Sequence, residues 1–175
     1  MSQTSHQYLG TRLDPVTYYR DKSQDYNNPH TDGIEIILSK FQQYLTGKIL
    51  DFGCGDGLAT KFLKEDCTIG LDQSPEMISR FQFETKKPGI VGRFWDELPP
   101  VDSVVSVYAL HLCPASRLPM VWFRLHQSGA KIVVIVSPFK NNPFDPQYYF
   151  ESVDKLSLPV GPQGKTIHGR VYQSV

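Results

Sequence analysis

The chain has 175 residues, and 18 lysines and arginines stand against 18 aspartates and glutamates, so the formal net charge is zero. That length suits one domain with one sizeable core, and the balanced charge offers no basic excess for a nucleic acid or an anionic membrane. No apolar run approaches the roughly 20 residues of a membrane span, and the opening MSQTSHQYLGTRLDP lacks the charged-then-apolar plan of a secretory signal, so a soluble, cytoplasmic protein is expected.

Residues 1–30 are polar, rich in tyrosine and broken by Pro15 and Pro29, and they read as an irregular arm. Tyr18, Tyr19 and Tyr26 in this arm suit either a lid over a site or a cover for a sheet edge. Residues 31–175 read as the single folded domain. It opens with TDGIEIILSKFQQYL, where Ile34, Ile37, Leu38, Phe41 and Leu45 recur at helical spacing and Asp32 and Glu35 stand in capping-box relation.

A strand over 48–51, a glycine turn and a helix through LATKFLKE follow. CTIGLD is a second strand, and QSPEMISRF opens the next helix, with Ser74 as N-cap and Pro75 at the first helical position. A short third strand is expected within 89–94. VDSVVSVYALHL is a fourth strand, carried by the β-branched Val101, Val104, Val105 and Val107. PMVWFRLHQ belongs to the helix after it. KIVVIVSP is apolar on both faces, which places it centrally in a sheet covered by helices.

In the tail, Leu156 and Leu158, then Ile167, Val171 and Val175, alternate with mostly polar neighbours around Gly-Pro-Gln-Gly, the pattern of an antiparallel hairpin. Strands alternating with helices imply a parallel, right-handed sheet. The expected fold class is therefore α/β: a Rossmann-like, doubly wound, mostly parallel seven-stranded sheet with a C-terminal antiparallel hairpin.

Cys54, Cys67 and Cys113 are odd in number and far apart, without a C-x-x-C pair, and the five histidines, His6, His30, His111, His126 and His168, are equally scattered. Neither pattern matches metal-ligand spacing, so reduced thiols and no metal site are expected.

The chemistry is concentrated in ILDFGCGDG, residues 49–57. A glycine turn at the carboxyl end of the first parallel strand is where open α/β sheets bind ligands. A dinucleotide fold wants G-x-G-x-x-G, with a pyrophosphate against the helix. Here the glycines fall at 53, 55 and 57, and Leu58 stands where the third dinucleotide glycine would be. Asp51 would repel a diphosphate and attract an ammonium. Asp72, closing the second strand, can accept two ribose hydroxyls. Ribose plus amino group without pyrophosphate describes S-adenosylmethionine.

With TIGLDQSPEMI after the second strand, VVSVYALHL as the fourth and HQSGAKIVVIVSP as the fifth, the chain resembles the class I S-adenosylmethionine-dependent methyltransferases over roughly residues 47–138. The resemblance implies that Asp51 and the backbone of Gly53, Cys54 and Gly55 hold the methionine end of the cofactor, that Gly57 lets the helix pack close, and that Asp72 binds the ribose with Gln73 beside the adenine. Cys54 is given a packing role, not a nucleophilic one. Matching Leu98 and Pro99 to the end of the family's G-D-A-x-x-L-P segment puts Phe94 and Trp95 at its acid-small pair. Phe94 cannot accept from the adenine amine, so apolar packing by Phe94 or Trp95 is expected, with Asp96 as the replacement acceptor.

The segment from Tyr108 and Ala109 to His111 resembles the backbone that runs along the methionine moiety and faces the acceptor. His111 there is either a general base or structural. N/D-P-P-Y/F is missing, which disfavours amino groups of nucleobases or glutamine as acceptors. The expected activity is methyl transfer from S-adenosyl-L-methionine, leaving S-adenosyl-L-homocysteine, to a small molecule or other accessible nucleophile. Its rivals are a non-catalytic cofactor-binding or partner-stabilising subunit, RNA methylation as a sub-case that the neutral charge disfavours, and a nucleotide-dependent oxidoreductase on a similar sheet.

Overall fold

The structure is a computed structural model describing residue 17 and residues 28–63, 67–141, 146, 148–160 and 165–175. The tyrosines of the expected lid and the Gly-Pro-Gln-Gly turn lie outside the described residues. Helix α1 (Thr31–Phe41) buries Ile34, Ile37, Leu38 and Phe41, the stripe its periodicity predicts. The capping box does not form: position 30 is the N-cap and makes no side-chain cap bond. Asn28 organises this entry instead. Its Oδ1 accepts from the His30 N–H at 3.0 Å, and its carbonyl accepts from the Thr31 hydroxyl at 2.8 Å. Pro29 stands between them with a fixed φ, so the turn chemistry falls before Asp32.

The remaining elements alternate as expected: β1 (Ile49–Phe52), α2 (Leu58–Phe62), β2 (Thr68–Asp72), α3 (Pro75–Thr85), β3 (Gly89–Val91), β4 (Ser103–Val107), α4 (Leu118–Gln127) and β5 (Ile132–Ser137). The hairpin strands β6 (Phe150–Val160) and β7 (Lys165–Ser174) close the chain. At the start of α3, the Ser74 hydroxyl accepts from the Met77 N–H at 3.2 Å, with Pro75 at the first helical position. The sheet order is β3-β2-β1-β4-β5-β7-β6. β1 to β5 pair in parallel, and β7 runs antiparallel to both β5 and β6. The order reverses between β1 and β4, so the loops after these strands part and leave a crevice at the carboxyl edge.

Both faces of the sheet are covered. On one, Ile49, Val105, Val134, Val136 and Val171 meet the apolar stripe of α1 and Ala59 of α2. On the other, Leu50, Phe52, Val104, Val133 and Ile135 meet Val121, Trp122 and Leu125 of α4, with Phe94 and Leu98 supplied by the segment between β3 and β4. Each fully buried aliphatic or aromatic side chain contributes roughly 1.5–3 kcal/mol relative to exposure. The strand tips are therefore held by packing, and the turns between them inherit that rigidity. No helix among the described residues is long and apolar enough to cross a membrane.

Candidate functional site

The glycine turn hangs from the tip of β2. The N–H groups of Gly53 and Cys54 both donate to the Leu71 carbonyl, at 2.8 and 3.0 Å. Gly53 has φ +75°, and a β-carbon there would collide with that of Ala109, just beyond β4. The turn thus lies directly against the end of β4, an approach only glycine permits at that φ. Gly57 has φ +86° and would drive a β-carbon into Thr85 and Phe81 of α3. It lets α2 start hard against α3, the close packing expected of it.

The two predicted acids stand at the tips of neighbouring strands. Asp51 is 1% exposed. Its Oδ2 accepts from the Thr60 hydroxyl at 2.6 Å and from the Thr60 N–H at 3.2 Å. Burial pushes its carboxyl up from the ordinary 3.8 to about 7, against the pull of those two bonds and with added repulsion from Asp72 and Asp56. Asp72 accepts from the Gly55 N–H on one oxygen at 3.1 Å and from the Ser74 N–H on the other at 3.0 Å. Burial raises its pKa too, while the N–H bonds from Ser74, Gly55 and Gln73 oppose the rise.

Between the turn and β4 lies a cavity of about 30 Å³ lined by Asn28, Asp51, Gly53, Cys54, Gly55, Asp56, Leu58, Ala59 and Val107. That exceeds the roughly 10–15 Å³ that one water needs, so a group as small as an ammonium fits. Sequence reasoning missed Asn28, Asp56 and Val107 in its wall. Asp56 accepts from the Leu58 N–H at 3.2 Å and sits 3.4 Å from the Arg80 guanidinium. Acids thus outnumber cations around the cavity, and the chemistry that lowers their shared repulsion is a bound cation. Cys54 is 5% exposed. Burial and the nearby Asp51 and Asp72 charges hold its thiol well above the ordinary value. A neutral buried thiol fills space and is no nucleophile.

The other predicted residues divide. Ala109 touches the turn, as its clash with a Gly53 β-carbon shows. Tyr108 adopts φ +54°, donates its N–H to Val136 at 2.9 Å, and turns its ring toward His30 at 5.8 Å between centroids. Phe94 is 3% exposed, and its ring packs on Phe52 at 4.6 Å, within the core beneath the turn. Trp95 keeps partial exposure, with the Arg93 and Arg117 guanidinium carbons 5.7 and 5.4 Å from its ring. Asp96 is engaged by Arg93, whose N–H and guanidinium donate to it at 2.9 to 3.2 Å. The expected replacement acceptor is therefore already taken. Gln73 follows Asp72 with partial exposure. His111 stands in the short 3₁₀ turn Leu110–Leu112, its ring 6.2 Å from that of Tyr108 and 5.7 Å from that of Phe139. It lies on the β4–β5 side and does not line the small cavity. Among the described residues no cluster of histidine, cysteine and acid suits a metal ion.

The model of a methyltransferase domain family matches residues 50–134. No curated protein sequence matches the chain. Among solved structures, magnesium protoporphyrin IX methyltransferase from Synechocystis PCC 6803, with bound S-adenosylmethionine, aligns at TM-score 0.71 and 9% identity, over 99% of both chains. The N-methyltransferase NodS from Bradyrhizobium japonicum WM9, in complex with S-adenosyl-L-homocysteine, aligns at TM-score 0.71 and 14% identity, over 98% of this chain and 99% of that one. The Pyrococcus abyssi tRNA (uracil-54, C5)-methyltransferase aligns at TM-score 0.61 and 18% identity, over 81% of this chain and 38% of its own. At these identities the likeness shows the fold. The strand order and the turn at its reversal point are the fold that these methyltransferases share, and residues 50–134 match the methyltransferase domain family.

Proposed function

We propose that the chain transfers a methyl group from S-adenosylmethionine to a small-molecule or otherwise accessible nucleophile. The observation that carries this reading is the buried Asp51 carboxyl beside a cavity of ammonium size, with Asp72 at the tip of the next strand. The cofactor supplies an activated methyl carbon: the acceptor's lone pair forms the new bond while the carbon–sulfur bond breaks and its electrons remain on sulfur as a neutral thioether.

The chain's own residues align, desolvate and neutralise. Asp51 and the open backbone at Gly53 and Gly55 take the amino-acid end. Asp72, held in place by the N–H groups of Gly55, Ser74 and Gln73, takes the two ribose hydroxyls. Gln73 and Trp95 flank the base from the partly exposed side, and Phe94 supports the turn from beneath. The Tyr108–Ala109 backbone walls the methionine chain. His111, on the β4–β5 side, faces the acceptor, where it can take a proton if the nucleophile must lose one. Alignment and water exclusion supply most of the rate.

Methyltransferases acting on magnesium protoporphyrin IX and on tRNA share this fold, so fold alone does not choose the acceptor. The zero net charge favours a small acceptor over RNA. The thiols Cys54, Cys67 and Cys113, none in a disulfide, suit a reducing, cytoplasmic setting. Calorimetric titration with S-adenosylmethionine and S-adenosyl-L-homocysteine tests the reading: wild type binds both, and Asp72→Ala loses at least about tenfold, the worth of one good hydrogen bond to a charged group. A folded wild type that binds neither compound refutes it.

A further inference from the structure

A second, larger cavity, about 790 Å³, opens on the hairpin face of the sheet. It is lined by Pro138, Lys140, Lys155, His168 and Arg170 together with Ser152, Ser157, Thr166, Gly169 and Tyr172. Its size falls within the roughly 300–1,000 Å³ typical of small-molecule sites. Among the described residues no aspartate or glutamate lines it.

The register explains why. Lys155 pairs with Arg170, and Ser157 with His168, on the face that α1 does not cover. The acids of β6 go the other way: Asp154 pairs with Val171 on the α1 side and accepts from the Tyr44 hydroxyl at 2.9 Å, and Glu151 pairs with Gln173. Like charges set directly opposite on one sheet face repel. Arg170 is moreover only 9% exposed. Its guanidinium donates to the Phe139 and Lys140 carbonyls at 2.8 Å each and to the Ser137 hydroxyl at 3.5 Å. Among the described residues none of these bonds goes to a carboxylate. A buried cation facing a second cation is costly, and the natural remedy is an anion. His168 feels the same field: burial, then the Arg170 and Lys140 charges, lower its pKa, and its Nδ1 lies 2.8 Å from the Ser157 hydroxyl.

The cavity also adjoins the acceptor side. Phe139 lies between its lining residues Pro138 and Lys140, gives its carbonyl to Arg170, and holds its ring 5.7 Å from that of His111. We infer that this cavity is an anion-binding subsite, in which Arg170, Lys155 and Lys140 take a carboxylate or phosphate group of the methyl acceptor. The assignment to an acceptor rests on the methyl-transfer reading above; the anion site itself does not.

The test uses the full chain, with inorganic phosphate, citrate and a short oligouridylate as probes, followed by calorimetry and by the imidazole resonances of His168. Phosphate or citrate should bind saturably, move the His168 resonances and raise its pKa, since an anion beside the ring stabilises the imidazolium. The tighter of the two identifies the acidic group. Lys155→Glu and Lys140→Glu change exposed side chains and should fold as wild type, yet each should weaken anion binding at least about tenfold. The inference is overturned if neither anion saturates a site, if both variants bind as wild type does, or if the oligouridylate alone binds. A parallel titration with S-adenosyl-L-homocysteine separates the claims. Anion binding without nucleoside binding removes the methyl-transfer reading and leaves the site; the reverse removes the site alone.

Discussion

Replacing Asp51 with asparagine should stabilise the protein and disable it. Burial raises the Asp51 carboxyl from 3.8 to about 7. Below 3.8 the group is protonated in both folded and unfolded chains and contributes no difference. Between 3.8 and about 7 the folded chain holds a proton that the unfolded chain has lost, so stability falls as pH rises through that window. Above about 7 the penalty is constant. At about 1.36 kcal/mol per pH unit the interval amounts to roughly 4 kcal/mol. Asparagine keeps the shape and an oxygen that can accept from Thr60, and it carries no charge to bury. Asp51→Asn should therefore gain up to roughly 4 kcal/mol over wild type above pH 7, and nearly nothing close to pH 4. Urea denaturation at the two pH values measures this. The same chemistry predicts that wild type releases close to one proton when S-adenosyl-L-homocysteine binds between those pH values, because the ammonium ionises Asp51. Calorimetry in buffers of different ionisation enthalpy reads that proton; the variant should release none and bind at least about tenfold more weakly. Parallel stability profiles for the two proteins across that window would refute the reasoning. A more stable protein with a weaker site is the exchange expected where function holds a charge in an unfavourable place.

Two further changes probe the supports of the site. Thr60→Val removes the 2.6 Å hydroxyl bond to Asp51 without changing shape; it should cost about 1–3 kcal/mol above pH 7 and far less below 3.8, and an equal cost at both pH values by denaturation would show that the bond does not serve the charge. Ser74→Ala removes the cap on Met77 but leaves the backbone N–H that donates to Asp72. Its expected cost is about 1 kcal/mol, visible as a lower melting temperature with S-adenosyl-L-homocysteine affinity intact, and a loss of affinity instead would give the hydroxyl a direct part in binding.

The strands at the heart of the sheet were legible because their patterns admit one reading. KIVVIVSP is apolar on both faces, and β5 does lie between β4 and β7. The acids at 51 and 72 come at strand ends, and parallel pairing puts those ends side by side. What stayed hidden depends on contacts that no local pattern records. Asn28 reads as part of an irregular arm, and only the tertiary fold brings it into the cavity wall beside Asp51. Phe94 aligns with a base-binding position, yet the chain turns it inward onto Phe52, and Arg93 takes Asp96. The basic hairpin face depends on an irregularity between Ser152 and Asp154. One extra residue in a strand exchanges its two faces, so the sequence could show a hairpin but not that Lys155 would meet Arg170.

A crystal structure with S-adenosyl-L-homocysteine bound tests the central claim most directly. In that crystal the amino group should lie within hydrogen-bonding reach of Asp51 at the small cavity, with both ribose hydroxyls on Asp72. A ligand seated away from these two carboxylates, or one whose amino group points out of the crevice, would contradict it.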